Sequence, residues 1–198
     1  SNSDIADYKI RFFTPTSEVP LCGHATIASF NLLRDLKHIV PGMYTQETGA
    51  GLLKLEVESD FVYMQQKSPI FDESVDRNDL KSCFSNVDFF NEELPIVILS
   101  TGVKEIFLPV KSIEQLNLLH PIFEEIVSLS KKYNVIGIHA FALSNDEASA
   151  YGRNFAPAVG IDEESATGTS NGALACFINK YVDFNKSNFI MRQGYSMG

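Results

Sequence analysis

Arg-Phe-Phe-Thr-Pro at residues 11–15 is matched by Arg-Asn-Phe-Ala-Pro at residues 153–157, so an Arg-x-Phe-x-Pro motif occurs twice. Each copy leads through an acidic segment to a glycine that opens an apolar, helical run, Gly23 in the first copy and Gly168 in the second. Solenoids need several repeats at a short period. Two widely separated copies therefore predict two similar halves, each with a central helix.

The two glycines lie in related settings. Residues 18–26 read Glu-Val-Pro-Leu-Cys-Gly-His-Ala-Thr, and residues 162–172 read Asp-Glu-Glu-Ser-Ala-Thr-Gly-Thr-Ser-Asn-Gly. The runs that follow, residues 23–37 and 168–181, are apolar on most sides. A helix with this pattern is typically enclosed by the protein. Both central helices are therefore predicted to be buried.

Composition limits the function classes. A chain of 198 residues with 44% hydrophobic content can bury the core of one large or two small domains. Its net charge of −9 and the absence of a Lys/Arg cluster argue against nucleic acid as a partner. Three widely spaced cysteines give no disulfide framework, and no apolar run is long enough to span a bilayer. We expect a cytoplasmic protein without a membrane partner, and Ser1 and Asn2 resemble an expression scar.

The rest of the chain alternates between strand and helix patterns, which predicts an α+β fold with curved, mixed or antiparallel sheets. We expect halves at residues 1–70 and 71–198, with a linker at 69–74 and a short helix capped by Asp76. Residues 121–132 form an amphipathic pattern that predicts another helix. Strands are predicted at residues 8–14, 43–48, 52–58 and 61–67, then at 95–100, 104–110, 135–143, 148–155 and from 189 onward.

Chemistry is expected at the starts of the two central helices. A helix N-terminus presents unpaired N–H groups and a partial positive charge, and it binds carboxylate or phosphate. Glycine there allows close approach of a ligand. The alternative is that Gly23 and Gly168 only permit tight turns between strand and helix. If the two helix ends faced one cleft, they would hold one small anionic molecule between them.

Acid–base groups stand beside both glycines. His24 carries the side chain best suited to acid–base chemistry and lies close to Cys22 in sequence, so a catalytic and a structural role both stay open. His38, His120 and His139 lack such a setting and are expected to be structural or solvated. Glu163 and Glu164 precede the second helix and either complement its dipole or present a carboxyl to the ligand. Thr169 and Ser170 are candidate helix caps or ligand donors.

The residues that other types of site require do not occur at the necessary spacing in this sequence. Cys22 and His24 lack the companion residues of a zinc site, so no metal is expected. Gly-Ala-Gly at residues 49–51 lacks the Gly-Lys-Ser/Thr ending of a phosphate-binding loop. No Gly-x-Gly-x-x-Gly follows a strand, and no Gly-x-Ser-x-Gly elbow occurs. Nicotinamide, flavin and serine-hydrolase chemistry are therefore not expected.

These motifs together resemble the phenazine-biosynthesis isomerase (PhzF-like) family from about Tyr8 to Gly198. The similarity includes Ser-Thr-Gly at 100–102 and Gln-Gly-Tyr-Ser-Met-Gly at 193–198. The resemblance implies a diaminopimelate-epimerase-like fold, two pseudo-symmetric halves with the active site in the cleft between them. It also implies proton transfer without a cofactor on a small carboxylate, a dihydro-hydroxyanthranilate in the characterised member, and often a homodimer.

The family's site residues carry over by position. Gly23 and Gly168 would bind the substrate carboxylate with Thr169, which stands where the family usually has serine, and with the flanking Cys22 and Ser170. His24 would donate a hydrogen bond or relay a proton. Glu164 replaces the usual aspartate, and the proline after it is also replaced, which is expected to shift the carboxyl and loosen its loop.

The sequence departs from the family pattern at both of its ends. Family members begin earlier, with a segment that carries a catalytic glutamate, and they continue past the final Met-Gly into another strand. We therefore expect the first half to lack its first strands, the second half to lack its last strand, and catalysis to be impaired.

Three functions stay open at this point. The first is an isomerase or epimerase that moves a proton, with His24 and Glu164 as catalytic groups. The second is a racemase with two thiols, which is disfavoured because Ser165 stands where the second thiol is needed and Cys176 lies two turns further along. The third is a decayed or non-catalytic protein that binds small carboxylates.

Overall fold

The computed structural model of the chain divides after Gln66 into two units, Ser1–Gln66 and Lys67–Gly198. It describes residues 3–13, 18–19, 21–85, 88–182 and 186–197. The sequence suggested a division after residue 70. Thr14, Pro15 and Pro20 of the first motif, the proposed scar at Ser1 and Asn2, and the final Gly198 lie outside the described residues.

The N-terminal unit contains a four-stranded sheet in the order β1-β4-β5-β6. The strands β4 and β5 form a long antiparallel hairpin, β6 extends it, and β1 pairs with β4 in parallel. A separate two-stranded ribbon, β2 with β3, carries the first Arg-x-Phe motif. The strands are β1 (Tyr8–Lys9), β2 (Phe12–Phe13), β3 (Glu18–Val19), β4 (Gly42–Thr48), β5 (Gly51–Val57) and β6 (Val62–Met64).

The helix α1 (Gly23–Asp35) packs one face on this sheet. Phe30 is fully buried there, in a cluster with Leu55 and Val57. The prediction that α1 is buried on most sides is wrong, because Leu32 and Leu36 are 58% and 57% exposed. The described part of the unit covers a single face of α1, and the leucines lie on the other.

The C-terminal unit is built on a seven-stranded sheet with the order β12-β11-β10-β9-β8-β7, to which β13 adds beside β11. The pairs β9–β10 and β11–β13 are parallel, and the others are antiparallel. The strands are β7 (Ile70–Ser74), β8 (Val97–Ser100), β9 (Lys104–Pro109), β10 (Ile138–Leu143), β11 (Ala150–Ala156), β12 (Ile161–Glu164) and β13 (Met191–Gln193).

Both faces of this sheet are covered. The helix α5 (Gly168–Tyr181) packs on one face, where Leu174 and Phe177 meet Val97 and Leu99 of β8. Ile98 lies on the opposite face, in a second core that also contains residues of the other helices. Successive residues of β8 therefore enter different cores, as the two-residue period of a strand requires. The helices on that second face are α2 (Arg77–Leu80), α3 (Ile113–Asn117) and α4 (Phe123–Tyr133).

Most predicted elements are present, and several assignments were wrong or missing. The predicted strand at residues 8–14 is two short strands, β1 and β2, and β3 was not predicted. Residues 69–74 are no linker, because Ile70–Ser74 is an edge strand paired with β8. The helix α3, capped by Ser112, was not predicted, nor was the acidic strand β12. The α5 range was predicted correctly, and Asp76 caps α2 as expected by accepting a hydrogen bond from the Asn78 N–H.

Among the residues that the structure describes, no helix has the length and apolarity needed to cross a membrane.

Candidate functional site

The two central helices differ from the others at their N-termini. In the described part of the chain, neither α1 nor α5 has a side-chain cap or an acidic residue in its first turn. In contrast, α2, α3 and α4 each carry acidic side chains there, and two of them are also capped by side chains. Acidic groups at these positions neutralise the positive end of a helix. In the first turns of α1 and α5 no acidic side chain of the described residues supplies this neutralisation.

The backbone conformation at the starts of α1 and α5 does not require glycine. Neither Gly23 nor Gly168 has a positive φ. A Cβ at Gly168 would meet nothing within 4 Å, and one at Gly23 would make an ordinary contact of 3.6 Å with Met64. Neither strain nor crowding within either unit explains the glycines. This argues against the tight-turn explanation and favours close approach by a ligand.

In the N-terminal unit, the predicted residues Cys22, Gly23 and His24 lie together at the start of α1. The Cys22 Sγ is 3.5 Å from Nε2 and 3.7 Å from Nδ1 of His24. The imidazole is exposed, so it can exchange protons with solvent or a ligand. Behind it, Thr26 is fully buried and accepts a hydrogen bond of 3.4 Å from Gln46 Nε2. A polar side chain of the sheet therefore holds the first turn of α1.

In the C-terminal unit, the two glutamates before α5 have different partners. Glu163 receives two hydrogen bonds of 2.8 Å from Arg153 and one from Ser196. Burial alone would raise the pKa of Glu163, but these donors outweigh it and hold that pKa below its usual value. Glu164 instead accepts a hydrogen bond of 3.1 Å from the Thr167 hydroxyl. Of the pair, Glu163 is the one held by an arginine among the described contacts.

The pairing of Arg153 is repeated in the N-terminal unit. Arg11 donates two hydrogen bonds, of 2.9 and 2.7 Å, to Glu18. Each guanidinium also lies 4.9 Å from the ring centre of the phenylalanine two residues later, Phe13 or Phe155. Each glutamate stands five residues before its helix-opening glycine. The repeat seen in the sequence is therefore a structural repeat.

Gln193 braces the loop that precedes α5. Its Nε2 donates to the Glu164 carbonyl at 2.7 Å and to the Thr167 hydroxyl at 3.0 Å. Its Oε1 accepts from the Thr167 N–H and from Asn171 Nδ2. The following Gly194 has a φ of 93°, and a Cβ there would lie 2.8 Å from the Ser165 carbonyl. The Gln-Gly pair thus holds the loop that the lost proline was expected to loosen.

The polar residues of the first turn of α5 point in different directions. Thr169 is half-buried, and its carbonyl accepts a hydrogen bond of 3.1 Å from the Thr101 hydroxyl. Ser170 is 2% exposed, and its hydroxyl donates to Glu105. The Ser170 side chain therefore points into the protein, and any part it has in binding comes through the position of the first turn.

Sequence reasoning missed the polar residues beneath that turn. Glu105, His139 and Asn154 come from adjacent strands and are at most 2% exposed. The Asn154 Nδ2 lies 2.7 Å from Glu105 Oε1 and 3.2 Å from His139 Nδ1. The available signal was Glu105 within a strand whose other residues, apart from the exposed Lys104 at its start, are apolar. His139 is fully buried, so it is not the solvated residue that the sequence left as one of two possibilities.

A cavity of about 560 Å³ opens beside the loop before α5. Its described lining includes none of the predicted site residues, although the Gln193 brace forms part of its wall. The described residues contain no cluster of three or more His, Cys, Asp or Glu side chains placed to hold a metal ion. The lining residues are Ser165, Ala166, Asn171, Met191, Arg192, Gln193, Gly194 and Tyr195.

The fold assigns the chain to a class that includes amino-acid epimerases. A hydroxyproline epimerase of Agrobacterium vitis, solved with trans-4-hydroxy-L-proline, superposes with a TM-score of 0.62 over 98% of this chain and 61% of its own. At 16% identity this likeness concerns the fold alone.

The chain belongs to the phenazine biosynthesis-like (PhzC–PhzF) family, whose model matches residues 1–198. The resemblance found in the sequence is thereby confirmed. An uncharacterized isomerase of Clostridium acetobutylicum is 32% identical over 212 residues, which cover 100% of this chain and 70% of the relative. A PhzF-family protein of Bacillus anthracis is 29% identical with a TM-score of 0.86, over 98% of this chain and 70% of its own. The chain thus spans about 70% of the length of these two relatives.

Proposed function

We propose that the protein is an isomerase or epimerase that moves a proton on a small carboxylate substrate without a cofactor. The observation that carries the proposal is the start of α5, which has neither a side-chain cap nor an acidic residue in its first turn among the described residues. Such an end attracts a carboxylate. The isomerase names of the curated relatives supply the reaction class.

The proposed roles follow from the neighbours of each residue. Gly168 and Thr169 bind the substrate carboxylate through the first turn of α5, and Gly23 with Cys22 does the same at α1. Glu164 and His24 exchange the proton with substrate carbon, since each is a titratable group next to one of these helix starts. The N–H groups of the helix ends then stabilise the negative charge that develops when the carbon loses its proton.

The test follows proton exchange at carbon in deuterated water. The full chain is incubated with L-proline, trans-4-hydroxy-L-proline and a dihydro-hydroxyanthranilate, and the products are analysed by mass spectrometry and chiral chromatography. We expect solvent deuterium or an isomer from at least one carboxylate. Glu164→Gln should abolish the signal, and Glu163→Gln, whose carboxylate pairs with Arg153, is the matched variant that should retain it.

The competing function is a protein that binds carboxylates without converting them. The replacement of the family's usual aspartate by Glu164 favours it, because the longer side chain carries its carboxyl to a different place. Calorimetry with the same three compounds separates the two functions. Binding without deuterium uptake or isomer formation contradicts the isomerase and supports the binding protein.

A further inference from the structure

A buried polar cluster lies beneath the first turn of α5. It consists of Glu105 on β9, His139 on β10, Asn154 on β11 and Ser170 on α5, and each is at most 2% exposed. The three strands are neighbours in the sheet. Buried polar side chains are costly unless they are hydrogen-bonded to one another. A cluster of four at this place therefore calls for an explanation.

The hydrogen bonds of the cluster converge on the Glu105 carboxyl. Ser170 donates its hydroxyl to Oε2, and Asn154 Nδ2 lies 2.7 Å from Oε1. The same Asn154 nitrogen is 3.2 Å from Ser170 Oγ. Glu105 thus connects two strands of the sheet to the first turn of the helix at which the substrate carboxylate is proposed to bind.

The surroundings of Glu105 disfavour a negative charge. Among the described contacts of its carboxyl, Asn154 and Ser170 are uncharged. Burial raises the pKa of Glu105, and the charge of Glu164 on β12 raises it further, against the opposing effect of the two hydrogen bonds. His139 supplies no positive charge, because burial lowers its pKa to about 3. The uncharged acid is the form that this site favours.

We propose that Glu105 is a positioning residue for the anion site at the start of α5 and that it acts as an uncharged carboxylic acid. This inference rests on the proposed function. In the neutral acid the proton lies between Oε2 and Ser170 Oγ, while Oε1 accepts from Asn154 Nδ2. Glu105 thereby holds Ser170, and with it the first turn, without placing a negative charge behind the start of α5. When Glu105 ionises as the pH rises through its pKa, the new charge opposes the helix end and repels both Glu164 and the bound carboxylate.

The first test is the pH profile of carboxylate binding, measured by calorimetry with 2-aminobenzoate. Binding and ionisation are reciprocal, so each unit by which the ligand raises the pKa of Glu105 corresponds to an approximately tenfold loss of affinity on ionisation. We expect the wild-type affinity to fall about tenfold as pH rises through that pKa. Glu105→Gln, neutral at every pH, should keep the affinity that the wild type has below this pKa and should lose the fall above it.

Glu105→Ala separates position from charge. It removes the bonds to Ser170 and Asn154, and it should weaken binding at every pH. The control is Glu56→Gln, an exposed glutamate of the N-terminal unit, which should leave the profile unchanged. If Glu105→Gln loses as much affinity as Glu105→Ala, or if its affinity falls with rising pH as the wild-type affinity does, the inference is overturned.

A measurement without ligand keeps the inference distinct from the proposed function. The amide nitrogen and proton shifts of Gly168, Thr169 and Ser170 are followed by NMR from acid to alkaline pH. We expect a titration with a midpoint above the ordinary range of a carboxyl in the wild type and its loss in Glu105→Gln. Absence of 2-aminobenzoate binding together with this titration counts against the carboxylate site, and it supports only the coupling of Glu105 to the first turn of α5. Identical shifts in both proteins contradict the inference, whatever binds.

Discussion

Arg153 holds the Glu163 carboxylate with two hydrogen bonds of 2.8 Å, and this pairing distinguishes two glutamates that look equivalent in sequence. Arg153 also donates to the carbonyls of Leu116 and Leu119, at 3.1 and 2.7 Å. It therefore ties the end of α3 to the strands β11 and β12. The neighbouring Glu164 has no arginine partner among its described contacts, and it is the carboxylate to which we assign the proposed chemistry.

The two Arg–Glu pairs should differ sharply in their contribution to stability. Arg153→Ala leaves Glu163 and two carbonyls without their donor in a site where the paired side chains are 8% and 15% exposed. We expect the free energy of unfolding to fall by about 3–5 kcal/mol, measured by urea denaturation. Arg11→Ala is the matched variant, and it should change stability little because that pair is 58% and 45% exposed. Equal losses in the two variants would contradict this account of the repeat.

Gly168→Ala should separate binding from folding. The added methyl group meets no other atom of the described chain within 4 Å, and alanine favours helix over glycine by up to about 1 kcal/mol. Thermal unfolding should therefore show equal or higher stability, whereas calorimetry with 2-aminobenzoate should show about a tenfold weaker affinity, or about 1.4 kcal/mol. Gly42→Ala, the same change away from both helix starts, should leave affinity unchanged. Unaltered binding in Gly168→Ala would show that no ligand approaches this glycine closely.

His139 should make the fold sensitive to acid. Its pKa is lowered from 6.5 to about 3 by burial, so in this range the unfolded chain binds a proton that the folded chain does not. Stability contributed by the neutral imidazole is complete above pH 6.5 and falls by roughly 1.4 kcal/mol for each pH unit down to about 3. Urea denaturation across this range should show a shallower loss in His139→Gln than in the wild type. His38→Gln, at an exposed position, should follow the wild type, and equal slopes for all three proteins would refute the assignment.

Gln193→Ala should loosen the loop before α5. It removes donors to the Glu164 carbonyl and the Thr167 hydroxyl and an acceptor for Asn171. We expect a loss of about 1–3 kcal/mol in stability and faster amide hydrogen exchange in residues 164–171. Gln65→Ala, at an exposed glutamine, is the control. Unchanged exchange in the loop of the Gln193 variant would rule out the bracing role.

The repeat and the central helices could be predicted because their signals are local. The apolar run after Gly168 gave the limits of α5, and Asp76 marked the start of a capped helix. The Arg-x-Phe-x-Pro repeat predicted two related halves. Its arginines pair with Glu18 and Glu163. These partners were not predicted, because a pattern of residue types does not specify which side chains meet.

The remaining features depend on contacts between residues distant in sequence. Glu105 meets Ser170 across 65 positions, and nothing near Glu105 in sequence reports that partner. The strand Ile70–Ser74 was taken for a linker because its sequence lacks the apolar alternation that marks other strands. It is a strand because it pairs with β8, and that partner is distant in sequence. The exposed side of α1 was missed for the same reason, since an apolar helix sequence does not tell which of its faces a sheet will cover.

The opposite exposure of the two Arg–Glu pairs has a consequence for how freely each copy of the motif can vary. In a library of random codon changes selected only for folded protein, codon 11 should accept many residue types, whereas codon 153 should remain arginine. Both copies of the motif form an Arg–Glu pair, but only the exposed pair should tolerate replacement of its arginine without loss of folding.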